Sequence, residues 1–197
     1  MIVGKPHARR RRRLRAPAAA IIFAWLLLAA CAVPSRQTTP ESQPALPRPQ
    51  GFVTDLAEKL SPETKTKLEG TLKEFADVSG VDLAVVILSL DLLQGATFED
   101  YSLRLGREWR IGRGPDKLGL LFLIAIKPAD DNGVYTGETR LEVSRNLEGD
   151  IPNDLAQQII RKARGDLRLG RFDQAVTDTV ADIITTLTAK RGVPKSR

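Results

Sequence analysis

Histidine and cysteine are almost absent: His7 and Cys31 are the single copies of each in 197 residues. Both fall within the first 31 positions. If residues 1–30 are removed on export and Cys31 is acylated, the remainder has neither an imidazole nor a free thiol. Ser-His-Asp and Cys-His catalysis, Cys/His zinc sites and disulfides within the chain are then excluded. Carboxylates, hydroxyls, amides, lysine and arginine remain for chemistry. Among cofactors, an oxygen-ligated calcium or magnesium ion stays open. Acid is missing from residues 1–30, which hold Lys5, Arg9, Arg10, Arg11, Arg12, Arg13 and Arg15. Setting those seven aside leaves 23 basic against 24 acidic residues, a formal charge of −1, so the overall +6 belongs to the N-terminus. A basic surface for nucleic acid is therefore not expected.

What is present at the N-terminus is an export signal. The arginine run is followed by an apolar stretch from Ala18 to Ala30, about 13 residues long and short of the ~20 needed to span a bilayer. It ends Leu28-Ala29-Ala30-Cys31, which resembles a bacterial lipobox: small residues admit the lipoprotein signal peptidase and the thiol takes a diacylglyceryl group. No Phe-Leu pair of a twin-arginine signal follows the basic run, so Sec export is expected. Two or three acyl chains give stable anchoring where one is marginal. Ala32 in place of Asp resembles the default for outer-membrane sorting in a Gram-negative cell. Residues 31–50 carry Pro34, Pro40, Pro44, Pro47 and Pro49 among Ser, Thr and Gln, and read as a semi-extended tether. The expected organisation is a signal peptide at 1–30, a lipid-anchored linker at 31–50, one domain at 51–190 and a tail at 191–197.

Within the domain, Ser61-Pro62 opens a helix with an N-cap and a proline at its first position. Leu68, Leu72, Phe75 and Ala76 line one face, and Gly80 suits a left-handed end. Val81 to Leu90 reads as a central strand. Thr97 with Asp100 opens a second helix striped by Phe98, Tyr101, Leu105 and Trp109. Gly119 to Ile126 reads as a second apolar strand, and Pro128 to Gly133, ending Asn132-Gly133, as a hairpin turn. Thr139 to Ser144 alternates as an outer strand, with Leu141 and Val143 inward. Pro152 opens a third helix, and Phe172, Val176, Val180, Ile183 and Leu187 space a fourth. This order predicts an α/β domain, a small mixed sheet between helical layers.

Gly112, Gly114 and Gly119 do not make a phosphate loop: position 117 is Lys, and the segment leads into a strand rather than a helix. Asp55, Asp116, Glu148, Asp150 and Asp154 sit near element ends. Converging carboxylates there would bind calcium or magnesium, whereas separate ones cap helices and face water. Arg161, Lys162, Arg164, Arg168 and Arg171 form a basic helix face and loop, suited to lipid head groups, an acidic partner or solvent.

A family resemblance is carried by Gly51-Phe52-Val53-Thr54-Asp55-Leu56-Ala57, Leu60-Ser61, Trp109-Arg110-Ile111-Gly112, Gly119-Leu120-Leu121-Phe122-Leu123-Ile124-Ala125, Arg140-Leu141-Glu142-Val143 and Leu147-Glu148-Gly149. In that order and spacing, from about Gly51 to Leu187, they resemble the TPM domain. The resemblance implies a three-layer α/β/α sandwich outside the cytoplasm. It is similar to thylakoid-lumen proteins of photosystem II repair, bacterial envelope proteins and a receptor accessory protein, some with attributed phosphatase activity and calcium binding. Where the family has Asp-Asn-Gly before the central strand, this chain has Lys117-Leu118-Gly119. Ser144-Arg145-Asn146 replaces its Gly-Tyr-Gly, and Pro152-Asn153 its Pro-Asp. Asp55 and Glu148 carry over as acids, with Asp116 and Asp154 one residue off. A lysine close to a metal would add about 4 kcal/mol of repulsion per unit charge at intermediate dielectric. The expected function is a membrane-tethered accessory module binding an envelope protein partner at the extracytoplasmic face. The alternative is a weak calcium- or magnesium-dependent phosphomonoester phosphatase using Asp55, Glu148, Asp116 and Asp154.

Overall fold

The computed structural model describes residues 45–112 and 114–192. The expected signal peptide, Cys31, most of the tether and residues 193–197 lie outside the described residues. Among the described residues, four strands and four α-helices follow in the order β1 (Val53–Asp55), α1 (Pro62–Ser79), β2 (Asp82–Ser89), α2 (Phe98–Glu108), β3 (Gly119–Ile126), β4 (Gly137–Val143), α3 (Asn153–Arg168) and α4 (Phe172–Arg191). The sheet order is β1-β2-β3-β4, parallel through the first three strands and antiparallel for the last.

Period-two alternation on β2 and β3 divides the interior into two cores. Leu83, Val85 and Ile87 of β2 with Leu120, Phe122 and Ile124 of β3 meet α1, α3 and α4. Ala84, Val86 and Leu88 with Leu121, Leu123 and Ala125 meet α2, with Leu93 and Leu46 beside it. Strands buried on both faces tolerate no polar alternation, which is why both read as continuous apolar runs. Each fully buried Leu or Ile contributes about 2 kcal/mol. The domain is therefore a three-layer α/β/α sandwich with three helices on one face and one on the other. Both parallel crossovers step the same way across the sheet, yet α1 and α2 cover opposite faces. The two connections consequently have opposite hands, and one is left-handed against the usual preference.

The expected caps form. Ser61 Oγ accepts from Thr64 N, Thr97 Oγ1 accepts from Asp100 N, and Gly80 closes α1 at φ 69. At the hairpin, Gly133 takes φ 75 and its N–H donates to Asp130 O. Pro152 is the N-cap residue of α3 rather than its first turn. β4 starts two residues before the expected Thr139, because Gly137 packs against the β3 backbone: a Cβ there would lie 2.1 Å from Ala125 O. Strand β1 was not expected at all. Three residues carry too little periodicity to read, and the strand persists because its backbone is held from both sides. Val85 N donates to Phe52 O and Leu56 N to Ile87 O, while Glu69 of α1 accepts from Phe52 N and Val53 N on the outer side.

Candidate functional site

Asp55 ends β1 at the carboxyl edge of the parallel strands. Its Oδ2 accepts from Lys59 N and Leu60 N, both at 2.7 Å, and so folds residues 55–60 into a corner. Glu58 enters the left-handed region at φ 52 to make the turn. Asp55 is 8% exposed, and its Oδ1 is buried with no hydrogen-bond partner. The next residue along the corner, Ser61, donates its N–H to Asp173 Oδ1 at the start of α4. Lys59 Nζ lies 5.2 Å from the Tyr135 ring centroid, and Tyr135 meets Phe172 edge to face at 4.9 Å.

The other predicted acids lie at the opposite edge. Asp116 is an exposed loop residue whose carbonyl O accepts from Asn146 Nδ2 at 2.6 Å. Glu148 is exposed at the end of a 3-10 turn, Arg145–Leu147, just after β4. β4 runs back along β3, with Val143 opposite Leu120, so this turn sits at the amino end of β3. Asp154 is exposed in the first turn of α3. The far end of α3 reaches the carboxyl edge, where Arg168 O accepts from Tyr135 N. Asp55 is in register with Ile87, and Ile87 with Ile124, five residues past Gly119. At about 3.3 Å per residue, some 16 Å of strand separate Asp55 from the edge bearing Asp116, Glu148 and Asp154.

Calcium takes six to eight oxygens and magnesium a near-octahedral set. Asp55 offers one unpartnered oxygen, and among the described residues no three His, Cys, Asp or Glu side chains gather to hold an ion. The four acids do not fit a single metal. Asp150, expected as a helix-end acid, pairs with Arg191 at 2.7 Å.

The glycine loop is a packing device. Arg110, Gly112 and Lys117 take φ of 53, 80 and 50, and Asp82 Oδ2 accepts from Gly112 N at 3.0 Å. A Cβ on Gly119 would meet the Ile111 backbone at 2.8 Å, and one on Gly112 the Gly119 N at 2.9 Å. In the basic group, Arg171 pairs with Asp166, Lys162 with Asp182, and Arg164 donates to Thr139 Oγ1.

Two arrangements were not anticipated. On the α2 side of β4, Glu142 accepts from Arg140 and from the buried Ser102, and Arg140 also reaches Glu99 at 3.1 Å. Burial alone would lower the Arg140 pKa, but the hydrogen bonds and charges of Glu142 and Glu99 outweigh it and hold the guanidinium above its ordinary range. The sequence signal was the Arg140/Glu142 alternation on the outward face of β4. The second arrangement involves the end of the tether. Trp109 Nε1 donates to Pro47 O at 2.9 Å, and Leu46 packs on the α2-side core. Leu46 and Pro47, expected in the linker, thus contact the domain. Beside them opens a cleft of about 490 Å³ bordered by Phe52, Ala84, Trp109 and Ile111.

Comparison with known proteins agrees with this architecture. The solution NMR structure of the N-terminal domain of a protein from P. gingivalis superposes with a TM-score of 0.59 at 26% identity. The alignment covers 74% of this chain and 87% of that one. Among curated proteins no match is found. The family model of the TPM domain matches residues 53–186, β1 through most of α4, and the chain belongs to the TPM domain family.

Proposed function

We propose that this chain is an envelope lipoprotein, anchored through acylated Cys31 and Pro-rich residues 31–50, whose TPM domain acts as an accessory module binding a protein partner. The observation that carries this reading over catalysis is the register of the sheet. It sets Asp55 at one edge and Asp116, Glu148 and Asp154 at the other, so the candidate acids share no centre. The anchoring half rests on the arginine run, the 13-residue apolar stretch and Leu28-Ala29-Ala30-Cys31. A phosphomonoester phosphatase dependent on calcium or magnesium is the second reading. Its support is the unpartnered Oδ1 of Asp55, a buried acceptor that a cation would satisfy.

The test uses the full chain expressed in a bacterial host fed an alkyne fatty acid. The label is expected on the membrane-fraction protein and absent from Cys31→Ser, which keeps residues 1–30 uncut. The same purified lipoprotein in detergent is expected to hydrolyse p-nitrophenyl phosphate at background with either ion. An unlabelled Cys31 chain retaining its N-terminus overturns the anchoring. Ion-dependent turnover lost in Asp55→Ala overturns the accessory reading in favour of the phosphatase.

A further inference from the structure

The sheet face under α2 has one α-helix to cover it, and part of the remaining cover comes from the segment before β1. Residues 45–50, Ala-Leu-Pro-Arg-Pro-Gln, run without helix or strand from Leu46 on that face to Gln50 beside α1. Leu46 is half-buried against the α2-side core, and the Pro47 carbonyl takes the indole N–H of Trp109, itself 7% exposed. Gln50 N donates to Thr54 Oγ1, and its side-chain Oε1 accepts from Lys65 Nζ at 2.9 Å. An apolar anchor, a carbonyl read by an indole N–H and a proline-stiffened backbone are the elements by which aromatic grooves hold extended peptides. The cleft of about 490 Å³ continues beside the segment, past Phe52, Ala84 and Ile111.

We infer that the Trp109 groove is a binding site for extended, proline-containing peptides, occupied in cis by the chain's own Leu46–Pro47 segment and opened to a partner's segment when that strap lifts. The inference rests on the partner-binding reading above and supplies its ligand class. Proline lowers the entropy lost on docking, and Leu46 marks the side chain that the groove selects. Because the strap is covalently joined, its effective concentration is in the millimolar range, so a free peptide of equal affinity competes poorly while it is in place.

The experiment uses the purified lipoprotein in detergent; Trp25 falls in the segment cut away before Cys31, so Trp109 is its only tryptophan, and Trp25→Phe secures this in any uncleaved chain. A fluorescein-labelled peptide of sequence Ala45–Gln50 is titrated against it and followed by anisotropy. Replacing residues 45–50 by Gly-Ser of equal length is expected to tighten binding at least tenfold. In that background Trp109→Phe, which removes the donor, weakens binding about tenfold, and a peptide with Ser for Leu46 does not bind. A Gly-Ser variant folded by circular dichroism that binds no better than the native strap overturns the inference. Should that variant not fold, Leu46→Ser in the full chain is read by Trp109 emission. A red shift supports the clasp, and unchanged emission overturns it. Peptide binding is read separately from Cys31 labelling, so failure here is distinguishable from failure of the anchoring.

Discussion

The Glu69 carboxylate accepts the Val53 N–H at 2.8 Å, and with Phe52 N at 3.0 Å it closes the outer edge of β1. A helix side chain here does the work of a missing fifth strand. Hydrogen bonds to a charged acceptor contribute about 1.5–3 kcal/mol each, less where water has access. Glu69→Ala is expected to cost about 2 kcal/mol in urea unfolding, and Glu69→Gln about half that. Gly51→Ala acts through the same carboxylate: its φ is 155, and a Cβ would lie 2.4 Å from Glu69 Oε1. It is expected to loosen β1, seen as faster amide exchange at Val53, with α2 exchange unchanged.

Gly112 and Gly119 are pressed backbone to backbone. Gly119→Ala would drive a methyl into Ile111, at 2.8 Å from backbone atoms with no side-chain rotamer to relieve it. Overpacking against a fixed backbone costs about 1–3 kcal/mol. We expect such a loss in the unfolding midpoint. Gly114→Ala, whose Cβ would meet Gly80 O at 3.9 Å, is expected to stay within about 0.5 kcal/mol. Equal effects at the two positions would return the segment to an open loop.

Tyr101 is fully buried in the α2-side core, and its Oη has no hydrogen-bond partner. Burial pushes the phenol above 10, with Arg104 pulling it partly back. A pKa raised on folding stabilises the native state fully below the unfolded value, and that contribution is lost as pH climbs through the folded one. Tyr101→Phe is therefore expected to raise stability at pH 7 by up to about 1 kcal/mol, by removing an unpaired hydroxyl. It should also make the fall in stability above pH 10 shallower. Urea curves at pH 7 and pH 10.5 on both proteins measure the two effects. A loss greater than 1 kcal/mol at pH 7 would mean that the hydroxyl has a partner.

Local signals read well and non-local ones poorly. Ser61, Thr97 and Gly80 announce helix ends because the bonds they make lie within four residues, and β2 and β3 are legible because burial on both faces makes them continuously apolar. β1 is silent because what stabilises it sits 16 residues away on Glu69. The Pro47 contact is silent for the same reason: its partner is Trp109, 62 residues on. The acids Asp55, Asp116, Glu148 and Asp154 share one local property, proximity to an element end. Which end of the sheet each loop reaches depends on strand direction, and the antiparallel return of β4 decides it for Glu148.

Asp55 separates the two functional readings. Its Oδ2 organises the corner after β1 through two backbone N–H groups, so Asp55→Ala strands both donors and is expected to cost about 2–4 kcal/mol. Asp55→Asn keeps one carbonyl oxygen for those donors and is expected to cost about 1 kcal/mol. It exchanges the unpartnered oxygen for an NH2 that no cation can bind. Differential scanning calorimetry of the native chain with and without millimolar calcium or magnesium is expected to show midpoints within 1 °C of each other, and Asp55→Asn the same. An ion that bound the folded state a hundredfold below its concentration would add about 2.7 kcal/mol. In a domain of this size that raises the midpoint by several degrees. Such a rise, abolished by Asp55→Asn while the corner stays folded, would mean that Asp55 Oδ1 is an ion ligand completed by groups other than Asp116, Glu148 and Asp154, and the phosphatase reading would then take precedence.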